Sequence, residues 1–288
     1  MELTESPSLA AAGDTLYTAG VNNNPSDAPG PINYATTTTG QLWNFPSNTV
    51  VAPDGRPAAT ALPAAIATAN GDPVVAWTDF TTNKVETSSL VGGKWSAPSV
   101  VGAGAALSSA GPALAGYGQS LYAAWKGEST SNVYLSINNG IGWSTQQEVP
   151  SALTNLRPAI AFDPDLAAII VAWTTPANRI QYEVYSLLFG SFTEGATIPF
   201  ASSPSGPALA VVGNQLFEAH KGTTTDFVYY SSQPPGQLVG TWTSDHTVPS
   251  TDTEFSPTLA ANGPTLITGW KQTCPGCSSP LFTTSSDP

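Results

Sequence analysis

A short phrase of proline followed by small and apolar residues returns along the chain at nearly even intervals. Its copies are Pro7-Ser-Leu-Ala, Pro63-Ala-Ala-Ile-Ala, Pro112-Ala-Leu-Ala, Pro158-Ala-Ile-Ala, Pro207-Ala-Leu-Ala and Pro257-Thr-Leu-Ala. Successive copies lie 56, 49, 46, 49 and 50 residues apart. A repeat of roughly 40–50 residues is the length of one blade in a propeller, where each unit covers its neighbour's apolar face. The small side chains after each proline suit an innermost strand crowded against a central axis. Tight-turn residues follow each copy, as in Gly13-Asp14, Gly71-Asp72, Gly118-Gln119 and Gly213-Asn214. A second, apolar strand then ends on an aromatic position: Trp77, Trp125, Trp173, His220 and Trp270, with Gly20 in the first unit.

The third strand of each unit alternates in polarity, as in Asn132-Val-Tyr-Leu-Ser-Ile137, with the period of two that marks a strand. A glycine turn leads to a fourth strand opening on Trp43, Trp95, Trp143, Phe192 or Trp242. The expectation is an all-β, six-bladed β-propeller with four antiparallel strands per blade, filling residues 1–288 as a single domain. The last unit stops after its third strand. The segment Glu2-Leu3-Thr4 would supply the missing outer strand and close the ring, which is how propellers manage open edges.

With 8 Lys and Arg against 20 Asp and Glu, the net charge of −12 repels phosphate backbones and anionic lipid, so neither nucleic acid nor membrane insertion is expected. The Met-Glu-Leu-Thr-Glu start lacks a basic and apolar leader, while low Lys with abundant Ser, Thr and Gly resembles secreted proteins. A secreted or extracellular location is expected, with a cytoplasmic one left open. Cys274 and Cys277, in Cys-Pro-Gly-Cys, are read as a local disulfide or idle thiols. Two thiols fall short of a structural zinc set, and no cofactor or metal is expected.

The turn Ser136-Ile-Asn138-Asn-Gly140-Ile-Gly-Trp143 resembles the Asp-box of sialidase-like propellers, Ser-x-Asp-x-Gly-x-x-Trp, with Asn in the Asp place. Degenerate copies run from Ser88 through Gly92 to Trp95 and from Thr36 through Gly40 to Trp43. The resemblance implies the six-bladed sialidase-like fold, in which this turn is structural and faces away from the active site. Sialidase chemistry would require a clamp of three arginines, one of them in a Phe/Tyr-Arg-Ile-Pro motif. That motif is missing, and Arg56, Arg157 and Arg179 are the only arginines. Fungal fucose lectins repeat Arg, Glu and Trp in every blade, more arginine than this chain holds. A lectin-like role here would take a different sugar.

Seven of the eight basic residues map to the face carrying the strand 2–3 loops and blade crossovers, with Lys94 opposite. The candidate ligand-binding residues are Trp77, Asp79, Trp125, Lys126, Arg157, Trp173, Arg179, His220, Lys221, Trp270 and Lys271. Aromatic rings can stack on sugar C–H faces, although their regular recurrence equally suits packing between blades. In the fifth unit Glu218 and His220 are two apart on one strand face, the candidates for general acid–base work. The expected function is carbohydrate recognition, with a glycan or small-molecule ligand. One alternative is an enzyme using the axial funnel for glycoside hydrolysis or natural-product cyclisation, and another is a protein-interaction scaffold.

Overall fold

The computed structural model describes residues 6–22, 29–38, 44–237, 239–273 and 281–286. Every inner strand starts at or just after one of the recurring prolines: Ser8–Ala12, Ala65–Ala69, Ala113–Tyr117, Ala159–Asp163, Ala208–Val212 and Thr258–Asn262. Each pairs antiparallel with a second strand, and the inner strands touch one another in a closed circle around the axis.

Five sheets are full blades of four or five strands. The third is typical, running Ala113–Tyr117, Ser120–Lys126, Asn132–Asn138 and Gln147–Leu153 from the axis outward. The remaining sheet, Thr258–Asn262, Thr265–Lys271 and Leu281–Ser286, has three strands among the described residues. The expectation of six four-stranded blades is therefore corrected to a propeller of five complete blades with a three-stranded sheet between the fifth and the first. The recurring proline phrase marks inner strands, and it carries no information on whether an outer strand completes the sheet. Residues 2–4, expected to supply that strand, lie outside the described residues, as do Trp43, Cys274 and Cys277.

The period of two divides each second strand between two cores. Leu121, Ala123 and Trp125 face the second blade, while Tyr122 and Ala124 face the fourth. The same division repeats at each blade junction. Among the described residues, the core between the last sheet and the first blade holds Leu9, Leu16, Ala260 and Ile267, and Gly20 occupies the first blade's aromatic position. Close approach forces the small residues at the axis. A Cβ on Gly116 would collide with the Thr68 carbonyl of the neighbouring inner strand.

The Asp-box-like turn is built as its residue types demand. Gly140 donates its N–H to the Asn138 side-chain oxygen at 2.9 Å, Ser136 Oγ donates to the Ser144 carbonyl at 2.8 Å, and the Trp143 indole reaches Thr87 Oγ1 of the second blade at 3.3 Å. A second repeat, with no counterpart in the sequence reading, shapes the opposite face. Thr60, Ser108, Thr154, Ser203 and Thr253 are fully buried, and each accepts the backbone N–H two residues on, at 3.0–3.1 Å. These hydroxyl turns fold each crossover back toward the axis and set the rim of the funnel.

Candidate functional site

The tryptophans expected at the ligand face are interior. Trp77, Trp125, Trp173 and Trp270 are each packed against the preceding blade, and none is more than 2% exposed. In the third blade Trp125 stacks on Tyr134 with ring centroids 5.9 Å apart. These indoles hold blades together and present no open ring to solvent.

The lysines that follow them also turn inward. Lys126 Nζ donates to Ser109 Oγ at 2.7 Å and to the Gly127 carbonyl at 2.9 Å. Lys221 Nζ pairs with Asp226 at 3.0 Å and donates to the Gly222 and Thr225 carbonyls at 3.2 Å. Lys271 Nζ sits 3.9 Å above the Phe255 ring. At the equivalent place in the second and fourth blades, Thr78 and Thr174 donate to the Ala110 and Ser205 carbonyls at 2.8 Å. In every sheet but the first, which has Val21 here, one polar side chain thus contacts a loop or crossover from the end of the second strand. Much of the basic character expected of this face is taken up by internal contacts. Arg179 remains exposed.

Two cavities open among the crossovers. One, of about 390 Å³, is the axial funnel. Arg157, Glu254 and Asn155 supply polar groups to it, and Leu62, Leu156 and Phe255 apolar ones. The other, of about 380 Å³, lies between the first and second blades, with Arg56, Asp54, Trp77, Asp79, Phe80 and Glu86 in its wall. Each group of this cleft has a local cause. Asp79 closes the strand 2–3 loop of its blade, its Oδ1 accepting from the Thr82 N–H and hydroxyl at 2.8 Å and from the Thr81 N–H at 3.1 Å. That turn projects Phe80 outward, 54% exposed. Arg56 lies in the crossover loop, its Nε 3.6 Å from Asp54.

Glu86 is the cross-strand partner of Trp77, at the place where Tyr134 and Tyr229 pair with Trp125 and His220. Partial burial raises its carboxyl pKa above the ordinary glutamate value, Asp79 adds to the rise, and Lys84 opposes it. Of the expected residues, only Trp77 and Asp79 come together here, and Arg157 lines the funnel. Phe80 and Glu86 were absent from the expected set, and Arg56 entered it only as one of the basic residues mapped to this face. The available signal was a carboxylate at the strand-three position opposite a recurring tryptophan, where the third and fifth blades have Tyr134 and Tyr229 and the fourth has Gln181.

Glu218 and His220 share a strand face, as their spacing predicts, but neither lines either cavity. Glu218 is fully buried and His220 is 2% exposed, with 3.1 Å between Oε2 and Nδ1. The other ring nitrogen lies 3.6 Å from Asp245, whose side chain is 22% exposed. Burial raises the Glu218 pKa, with Asp245 adding to the rise and His220 opposing it. Burial also raises Asp245, opposed by His220 and His246. For His220 burial acts downward, but the attraction of Glu218 and then Asp245 outweighs it, leaving the imidazole above its ordinary value.

All three groups therefore hold protons more tightly folded than unfolded. Stability from this cluster is fully present below the unfolded carboxyl values, and it is lost as pH rises through the folded carboxyl and imidazole values. Thermal unfolding scans should give a melting temperature that falls between pH 5 and pH 8. A flat or rising profile would rule out this assignment of protons.

No family model matches the chain, and no curated protein matches it. Among solved structures it is similar to a Hadza microbial sialidase, with a TM-score of 0.70 and 13% identity over 98% of this chain. The chain spans only 65% of that sialidase chain. It is also similar to a mutant Aleuria aurantia lectin in complex with Fucα1-6GlcNAc, with a TM-score of 0.69 and 13% identity over 99% of this chain and 92% of the lectin. A third similar structure is a mutant α-L-arabinofuranosidase from Fusarium graminearum with an iminosugar inhibitor, with a TM-score of 0.65 and 12% identity over 98% of this chain and 92% of the other. At such identities the likeness establishes a propeller fold of the kind used by lectins and glycosidases, with the number of complete blades corrected as above. No helix among the described residues is long and apolar enough to cross a membrane.

Proposed function

We propose that this chain is a carbohydrate-binding propeller, a single domain working in an extracellular setting, and that the cleft between its first and second blades is its main site. The observation that carries the reading is the half-exposed Phe80 ring set among Arg56, Asp79 and Glu86 in a cleft of about 380 Å³. A pyranose offers an apolar C–H face and a rim of hydroxyls. An aromatic ring suits the first and charged hydrogen-bonding groups suit the second. The net charge of −12 favours neutral over anionic glycans.

A glycan array on the purified chain, followed by titration of any hit, tests this. Phe80→Ala and Glu86→Gln should each weaken binding by about tenfold or more, corresponding to about 1.4 kcal/mol, with the melting temperature little changed. Equal binding by wild type and both variants would remove the cleft from consideration. Arg157→Ala addresses the second reading, in which the funnel with Arg157 and Glu254 holds one small molecule for turnover. Loss of binding in that variant alone would move the site to the axis.

A further inference from the structure

The fifth blade differs from its neighbours on the face turned toward the fourth. In the third blade that face carries Ala123 and Trp125, with Trp125 stacked on Tyr134. The fifth blade has Glu218 and His220 in their places, and His220 stacks on Tyr229 at 5.8 Å. The smaller imidazole occupies the position of an indole.

The cross-strand partners differ too. Ser88 and Ser136, in the second and third blades, donate their hydroxyls to the Ser96 and Ser144 carbonyls at 2.8 Å. Ser231 is the corresponding residue of the fifth blade and pairs with Glu218, yet its buried Oγ has no hydrogen-bond partner among the described residues. Asp245 lies beyond the Tyr230–His246 pair where the register slips, since the Thr243 N–H donates to the Ser232 carbonyl, and it reaches to 3.6 Å from His220 Nε2. Directly opposite residues share a sheet face with Cβ atoms about 5 Å apart. Glu218 and Ser231 are therefore neighbours on one face, and the His220 ring links them to Asp245.

His220 engages one oxygen of each carboxyl group. The other two, Glu218 Oε1 and Asp245 Oδ1, are buried and, like Ser231 Oγ, have no partner among the described residues. Glu218 and Ser231 are both fully buried. Two acceptors and one hydroxyl are the complement of a single water molecule, which offers two O–H donors and a lone pair. Interior waters commonly make about three such bonds to groups that would otherwise go unsatisfied. A monovalent cation would serve the two carboxyl oxygens but would give the Ser231 proton no acceptor.

We propose that Glu218, Ser231 and Asp245 form an interior water site in the fourth–fifth blade junction, where the sister junctions use apolar packing. An atomic-resolution crystal structure of the full chain, with a parallel thallium soak, tests this. The expected result is one peak within hydrogen-bonding distance of all three oxygens, with no anomalous signal at that place after the soak. A thallium peak would assign the site to a cation, and direct hydrogen bonds among the three side chains would leave no role for a guest. Either result overturns the proposal, as does an empty site. In solution, water-oxygen relaxation should count one fewer long-lived interior water in Ser231→Val than in wild type. An equal count in a folded variant would also overturn it.

Discussion

Replacing His220 by alanine should destabilise the protein by about 3–5 kcal/mol, the usual consequence of removing one partner from a buried ionic group. The substitution takes away the group that engages both Glu218 and Asp245 and leaves two carboxyl groups close together in an interior where Glu218 is out of reach of bulk solvent. Restoring the pattern of the third blade with the double variant E218A/H220W should behave differently, because no carboxyl group is then left in the cluster except the partly exposed Asp245. Exchange of a buried ion pair for packed apolar groups is often neutral or stabilising by about 1–4 kcal/mol. Denaturant unfolding of wild type, His220→Ala and the double variant decides the matter. A loss below about 1 kcal/mol in His220→Ala would show that the imidazole is not a charged bridge. The double variant should also flatten the fall in stability between pH 5 and pH 8, since Glu218 and His220 supply much of that proton uptake.

The second large effect is expected at Trp125. Its ring is fully buried between the second and third blades, stacked on Tyr134, in the core that also holds Ala65, Val74, Val85 and Leu121. Truncation to alanine should cost about 3–5 kcal/mol through lost burial and an unfilled cavity. Its indole nitrogen has no partner among the described residues, so Trp125→Phe loses no hydrogen bond there and should cost clearly less. Any Trp125→Ala protein that folds should bind glycan as wild type does, whereas Phe80→Ala should keep its stability and lose binding. Reversed behaviour of the two variants would return the buried indole row to consideration as a binding surface.

Repetition made the architecture legible in the amino-acid sequence. Six inner strands must begin after six similar phrases, because each blade presents the same crowded axis to its chain segment, and the structure starts them there. The alternation on the second strands also placed Trp77, Trp125 and Trp173 at one recurring position. Repetition was equally the source of the errors. A residue that recurs in every blade answers a need common to every blade, and that need is packing. The recurring tryptophans and the lysines after them were accordingly found tied into the structure. Apart from Trp77, the groups that mark the cleft do not recur: Arg56 from a crossover, Phe80 from a loop tip, and Glu86 opposite Trp77, where the third and fifth blades have tyrosine and the fourth has Gln181.

The sequence alone determined the strand periodicity, the axial crowding and the odd chemistry of Glu218 and His220. Only the tertiary structure decided that no fourth strand among the described residues completes the last sheet, that Lys126 and Lys221 turn inward, and that Asp245 and Ser231 join the buried pair. The physical reason is range. Turn and strand preferences act within a few residues and are written locally, whereas burial and charge pairing depend on segments such as Glu218 and Asp245 that the sheet brings side by side.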